Sequence, residues 1–115
     1  MDTQLSIVIP AMNEAENLSR LIPQTWHTVE RIGCKTEIIV VVGSSTDQTA
    51  TVARENGAIV VEQVSKGYGG ALVEGFAAAN GEYILTMDAD LSHTPVFIGT
   101  LWAARETADV LIASR

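Results

Sequence analysis

Basic residues, cysteine and long apolar stretches are what this sequence has least of. Seven lysines and arginines stand against fourteen aspartates and glutamates in 115 residues, a formal charge of -7. The seven are scattered from Arg20 to Arg115, so there is no basic stripe on which a phosphate backbone could gain affinity, and nucleic-acid binding is disfavoured. Cys34 is the one cysteine, which rules out an internal disulfide and leaves no thiol pair at metal-ligand spacing. It reads as a small apolar residue near a helix end. No apolar run nears the roughly 18 residues that a bilayer-spanning helix needs. The segment Met1 to Pro10 puts an acid, not a basic cluster, ahead of its short apolar run, unlike a secretory leader. A cytosolic location is the expectation that remains.

What is present suits an α/β domain, with 47% hydrophobic and 18% charged residues. The length is that of one domain, enough to bury about two-thirds of the surface an unfolded chain exposes. Five short runs rich in Val and Ile, Leu5 to Ile9, Glu37 to Val42, Ala58 to Val61, Tyr83 to Met87 and Asp109 to Ala113, read as strands. They are continuously apolar rather than alternating, as a parallel sheet covered on both faces requires. Helix-compatible stretches separate them: Asn13 to Arg31, Thr46 to Asn56, Gly70 to Asn80 and Pro95 to Thr107. The order β-α-β-α-β-α-β-α-β predicts a Rossmann-like, doubly wound, mostly parallel sheet with right-handed crossovers. Asn13, with Glu16 three residues on, is the expected cap of the first helix, and Ser45 and Thr46 precede Asp47 at the head of the second. Gly57 and Gly81 are the expected helix stops, and Pro95 fits a first helical turn.

The residues with chemistry to offer fall just after the strands, at positions 10–14, 43–47, 66–70 and 88–93, where ligands bind in open α/β sheets. Asp88 and Asp90 follow the fourth strand with Ala89 between them. Two carboxylates so placed repel unless they share a hard cation, and Mg²⁺ or Mn²⁺ would complete its oxygen shell with the diphosphate of a nucleotide. Alone, such a pair is more often a turn or a helix cap. Lys66-Gly67-Tyr68-Gly69-Gly70 lets backbone N–H groups approach a phosphate or sugar closely, or is simply a flexible turn. It is neither a P-loop nor a dinucleotide fingerprint. Asn13 and Glu14 follow the first strand, where capping and ligand contact are compatible. His93 reads as a loop histidine rather than a ligand, Trp26 and Trp102 as core, and Tyr68 as a border to a sugar or nucleotide.

Taken together, three segments resemble the family 2 glycosyltransferases of the GT-A fold, especially their dolichol-phosphate mannosyltransferase-like branch. They are Leu5 to Glu14, Ser44-Ser45-Thr46-Asp47, and Lys66 to Leu72 running on to Gly81 through Pro95, in matching order and spacing over nearly all 115 residues. The resemblance implies a hexosyltransferase that uses a UDP- or GDP-sugar donor, with a polyprenyl phosphate or a glycan as acceptor. A polyprenyl acceptor would put the chain at the cytoplasmic face of a membrane. It further implies that Pro10, Met12 and Glu14 line the nucleoside site and that the turn Val42, Gly43, Ser44 faces the base. Lys66, Gly67 and Gly70, with Asp88, Ala89 and Asp90, would then address the donor's diphosphate, and Asp88 and Asp90 the metal. Three positions depart from the family: Val42-Gly43-Ser44-Ser45 stands where an acidic turn is usual, Met12 where an aromatic is common, and Ser92 where this branch often has Gln. Family members continue past a segment like Asp109 to Arg115 into an acceptor-binding half that brings the catalytic base. Residues 1–115 are thus expected to be the donor-binding portion, with the base beyond Arg115.

Two further classes are weighed beside this one. A non-catalytic nucleotide-binding or interaction module that kept the fold would bind nucleotide without turnover. A dinucleotide-dependent oxidoreductase is disfavoured because Pro-Ala-Met-Asn-Glu, not a glycine-rich phosphate turn, follows the first strand.

Overall fold

A computed structural model describes residues 3–44, 47–89, 96–104 and 110–112. Five strands, β1 (Leu5–Ala11), β2 (Thr36–Val42), β3 (Ile59–Glu62), β4 (Tyr83–Thr86) and β5 (Val110–Ile112), alternate with four helices, α1 (Ala15–Ile32), α2 (Thr49–Glu55), α3 (Gly67–Ala78) and α4 (Val96–Ala103). All four strand pairings are parallel, in the order β3-β2-β1-β4-β5. The chain winds outward from β1 to β3, then crosses back to lay β4 on the other side of β1. The gap between β1 and β4 is therefore the point where the winding reverses.

The continuous Val/Ile character of the strands is used on both faces. Leu5, Ile7 and Ile9 of β1 and Ile38 and Val40 of β2 pack with Leu18, Leu21 and Ile22 of α1, Ala53 of α2 and Ile98 of α4. Their neighbours Val8, Ile39 and Val41 point the other way and meet Ala71 of α3. The result is a sheet between two helical layers. Trp26 and Trp102 pack against the first core, and Trp102 meets Tyr83 edge-on at 5.7 Å, so both tryptophans are core residues as expected. Cys34 is half-buried just past the end of α1.

Gly75 sets how closely α3 lies on the sheet: a Cβ there would overlap Val8 Cγ1 and sit 3.2 Å from Val41 Cγ2. At the amino end of the strands, Glu37 of β2 accepts from Ser6 Oγ (2.5 Å) and from Asn80 N–H (2.6 Å), and Ser6 Oγ accepts from Gly81 N–H (2.7 Å). This ties β1, β2 and the approach to β4 together, at the end opposite the crevice. Gly81 is fixed by that close approach to Ser6, not by ending a helix; α3 stops at Ala79 in an extended conformation.

One capping expectation is corrected. Asn13 does not cap α1; it lies one residue earlier, at φ 55, and Glu14 is the N-cap, with no side-chain cap bond. The first N–H of the helix, at Ala15, is instead satisfied by Asp47 Oδ2 at 3.2 Å, from 32 residues away. Asp47 also accepts from Thr49 N–H (2.9 Å) and the Thr49 hydroxyl, so one carboxylate serves the heads of both α1 and α2. The Thr49 hydroxyl holds the Asp47 carboxyl below the usual carboxylate range; burial opposes it, and the Ala15 and Thr49 N–H groups add to the lowering. Ser45, Thr46 and Pro95 lie outside the described residues.

Candidate functional site

Because every strand runs the same way, the segments after β1, β2, β3 and β4 gather at one end of the sheet. There the segments after β1, β2 and β3 enclose an open cleft of about 610 Å³. Pro10, Ala11 and Met12 leave β1 along one side, Gly43 and Ser44 leave β2, and the segment Gln63 to Tyr68 that joins β3 to α3 forms the facing wall, with Ala71 behind it. Three apolar side chains at the rim stand open to solvent, Met12 at 59%, Val64 at 90% and Tyr68 at 57% exposed. A flat apolar ring entering the cleft would cover such surface.

The facing wall is held by side-chain bonds to its main chain. Glu74, two turns into α3, reaches back to accept from the N–H groups of Val64 (3.0 Å) and Ser65 (2.7 Å) and from the Ser65 hydroxyl. The Ser65 hydroxyl holds the Glu74 carboxyl below its ordinary pKa, with the Val64 and Ser65 N–H groups adding to it and burial opposing. Gln63 Nε2 donates to the carbonyl of Gly67 at 2.9 Å, closing the loop from inside. Gly67 enters α3 at φ 80, a conformation that residues with a side chain rarely adopt. Gly70 faces the loop so closely that a Cβ would overlap Ser65 Oγ and lie 2.9 Å from Ser65 Cβ. The glycines therefore do two separate jobs, one in backbone angle and one in clearance.

Asp88 follows β4, half-buried, and the Tyr68 hydroxyl faces it. Burial pushes the Tyr68 phenol above its ordinary pKa, and the neighbouring Asp88 carboxylate pushes it the same way. The glycine segment and the acidic segment, 20 residues apart in sequence, thus meet through one tyrosine. Lys66, at the N-cap of α3, is exposed and has no ion-pair partner among the described residues.

Of the residues singled out from sequence, Pro10, Met12, Gly43, Lys66 and Gly67 line the cleft together. Glu14 is half-buried beside it and accepts from Asn17 Nδ2 at 3.2 Å. The side chains of Val42 and Ala89 are buried in the core at 7% and 3% exposure, so what either offers at the turn is main chain. The Val42 carbonyl is already taken by the Gln63 N–H at 2.9 Å. Gly70 stands behind the wall rather than on it. Asp90, Ser92 and His93 lie outside the described residues. The glycine segment was expected ahead of a helix, whereas Gly67 to Gly70 form the first turn of α3 itself. Gln63, Ser65 and Glu74 were not singled out. Gln63 was the findable one, since it stands directly after a strand.

Among the described residues no three His, Cys, Asp or Glu side chains gather to hold a metal, and no helix is long and apolar enough to cross a membrane. One hard carboxylate at the cleft's end still fits Mg²⁺ or Mn²⁺, which bind through one or two carboxylates plus substrate phosphates and water rather than in an all-protein cage.

Residues 6–115 match the model of the family described as glycosyl transferase family 2. The low-salt glycan biosynthesis hexosyltransferase of Haloferax volcanii is 40% identical over 89 residues, covering 77% of this chain and 21% of that protein. The dolichol-phosphate mannosyltransferase of Pyrococcus furiosus is 34% identical over 118 aligned positions, covering 97% and 33%. The chain thus spans a third or less of the length of these relatives. Among solved structures, glucosyl-3-phosphoglycerate synthase from Mycobacterium tuberculosis, in complex with Mn²⁺, UDP and phosphoglyceric acid, superposes with a TM-score of 0.79 at 30% identity, over 93% of this chain and 40% of that one.

Proposed function

The chain belongs to glycosyl transferase family 2 and has the GT-A arrangement of that family's solved relatives, and on that footing we propose that residues 1–115 are the donor-binding portion of a hexosyltransferase. The donor is a nucleoside-diphosphate sugar, UDP- or GDP-linked. The observation that carries this reading is the cleft at the carboxyl ends of β1, β2 and β3, with an apolar side from β1 and a facing wall that ends in Tyr68, whose phenol faces Asp88.

In this reading the nucleoside lies against Pro10 and Met12, with the Gly43–Ser44 turn at the base and Glu14 near the ribose. The diphosphate extends toward the head of α3. There the free N–H groups of the first turn and the positive end of a 12-residue helix favour an anion, and Lys66 adds a full charge. Gly67 and Gly70 leave that backbone bare for close approach. Mg²⁺ or Mn²⁺, when bound, supplies positive charge against the departing nucleoside diphosphate, and Asp88, with Asp90 from outside the described residues, would hold it. The Tyr68 hydroxyl keeps the Asp88 carboxylate directed into the site.

The acceptor oxygen attacks the anomeric carbon as the bond to the diphosphate breaks, with inversion. The Pyrococcus relative's name points to a polyprenyl phosphate as acceptor. Such a nucleophile is already ionised and asks little of a general base, and it would bring the protein to the cytoplasmic face of a membrane. For a glycan acceptor, a base would come from beyond Arg115.

Calorimetric titration of UDP and GDP, with and without Mn²⁺, into the wild-type protein and into Asp88→Ala and Asp90→Ala tests the reading. Nucleotide binding that needs the metal and both aspartates is the expected result. If neither nucleotide binds under any condition, the donor site is refuted and a non-catalytic module becomes the better account.

A further inference from the structure

Gln63 is fixed at one end and open at the other. Its Nε2 donates to the Gly67 carbonyl at 2.9 Å. A carbonyl oxygen can only accept, so the amide nitrogen must occupy that side and the amide oxygen must face the opposite way. It does: Oε1 lies 3.5 Å from the position a Cβ on Gly43 would take, a corner whose other near neighbours are Met12 Cβ and the Ala11 carbonyl. No donor among the described residues reaches Oε1. Gln63 lines the cleft, so a lone, rigidly held acceptor is presented to whatever lies between Met12, Gly43 and Ser44. Val42, Gly43 and Ser44 carry no carboxylate that would do the same work.

Resting on the donor-site reading above, we propose that Gln63 Oε1 accepts a hydrogen bond from the ring N–H of the donor's nucleobase and selects uracil. Uracil offers one N–H, on N3, between two carbonyls. Cytosine has a bare acceptor at that position and would set lone pair against lone pair. Guanine offers two adjacent donors, on N1 and on its amino group, of which a single amide oxygen satisfies only one. The bond to Gly67 reduces the rotamer entropy lost when the base arrives, and it disfavours the amide turning over to suit cytosine. A site built around one fixed acceptor discriminates through the partner left unpaired in the wrong complex.

The test is the ratio of affinities for UDP and CDP, measured calorimetrically with Mn²⁺ present, in the wild-type protein and in Gln63→Ala. Wild type is expected to prefer UDP over CDP by about tenfold or more, and Gln63→Ala to bring the two within about threefold. Loss of the Gly67 bond in the variant loosens the wall for both nucleotides alike, so it lowers both affinities and leaves the ratio alone. Gln63→Glu, which keeps an acceptor but loses the donor to Gly67, is expected to retain a preference for UDP over CDP. A ratio unchanged by Gln63→Ala, or a wild type that binds CDP or GDP as well as UDP, overturns the assignment of Gln63 while leaving the donor site standing. Failure of every nucleotide to bind overturns both.

Discussion

Replacing Gly70 by Ala adds one methyl group, and the structure says where it goes. The new Cβ would overlap Ser65 Oγ and come within 2.9 Å of Ser65 Cβ, and Ser65 cannot swing clear without giving up its bonds to Glu74. Gly69→Ala is the natural control, because it changes the same residue type in the same turn of α3 and its Cβ would meet nothing within 4 Å. Alanine favours a helix over glycine by up to about 1 kcal/mol, and both variants receive that gain. The difference between them therefore isolates the overlap, for which overpacking in proteins gives about 1–3 kcal/mol. Urea denaturation should place Gly69→Ala at or above wild type and Gly70→Ala below Gly69→Ala by that amount. If relief comes from moving the loop away from its binding position, UDP affinity falls by about 5- to 150-fold in Gly70→Ala alone. Adding Ser65→Gly to Gly70→Ala removes both colliding atoms and is expected to recover most of the lost affinity. A Gly70→Ala protein matching Gly69→Ala in both stability and UDP binding would refute the reasoning.

Gly75→Ala forces α3 off Val8 and Val41 and is expected to destabilise the protein by about 1–3 kcal/mol despite alanine's helix preference, read from the denaturation midpoint. A midpoint at or above the wild-type value would mean that the helix does not lie so close. Glu74 accepts its bonds as a carboxylate, and its folded pKa is lowered, chiefly by the Ser65 hydroxyl. Its hold on the loop is therefore fully present above the ordinary Glu value of about 4.3 and is lost as pH falls through the lowered one. Amide chemical shifts of Val64 and Ser65 should move in that acidic window in wild type and stay flat in Glu74→Gln; identical titrations in the two proteins would contradict the bond.

The strands were legible because their composition had one explanation. Ile-Val runs such as Ile38 to Val42, apolar at every position, suit a strand buried on both faces, and Ile39 and Val40 do face opposite cores. Boundaries that depend on distant partners were not legible. Asn13 looks like a helix cap by local chemistry, but Asp47, brought in by the β2–α2 turn, reaches the first N–H before any local side chain. Gly67 to Gly70 look like a loop by propensity, yet Glu74 and Gln63 hold the segment so that it begins α3. Asp88 and the lysine–glycine segment stood out as candidates because they fall just beyond strand ends, where ligands bind in such sheets. Gln63 was not, because a glutamine means little until both ends of its amide are located. Tyr68 fell between: its glycine neighbours signalled that it was not core, but only the fold brings it to Asp88.

The order β3-β2-β1-β4-β5 also fixes when the site can exist during synthesis. The residues lining the cleft all lie between positions 10 and 71 and belong to the outward winding of the chain, whereas Asp88 arrives only when β4 returns past the finished strands to pair with β1. An emerging chain that has made β1, β2, β3 and α3 would have the cleft, the proposed place for a nucleoside, but no carboxylate beyond it. Such a chain would also leave one side of β1, in the middle of the final sheet, open along its whole length. Closing that seam and completing the acidic end of the site are the same event, so metal-dependent nucleotide binding would report on newly made protein whether the sheet has been joined through its centre.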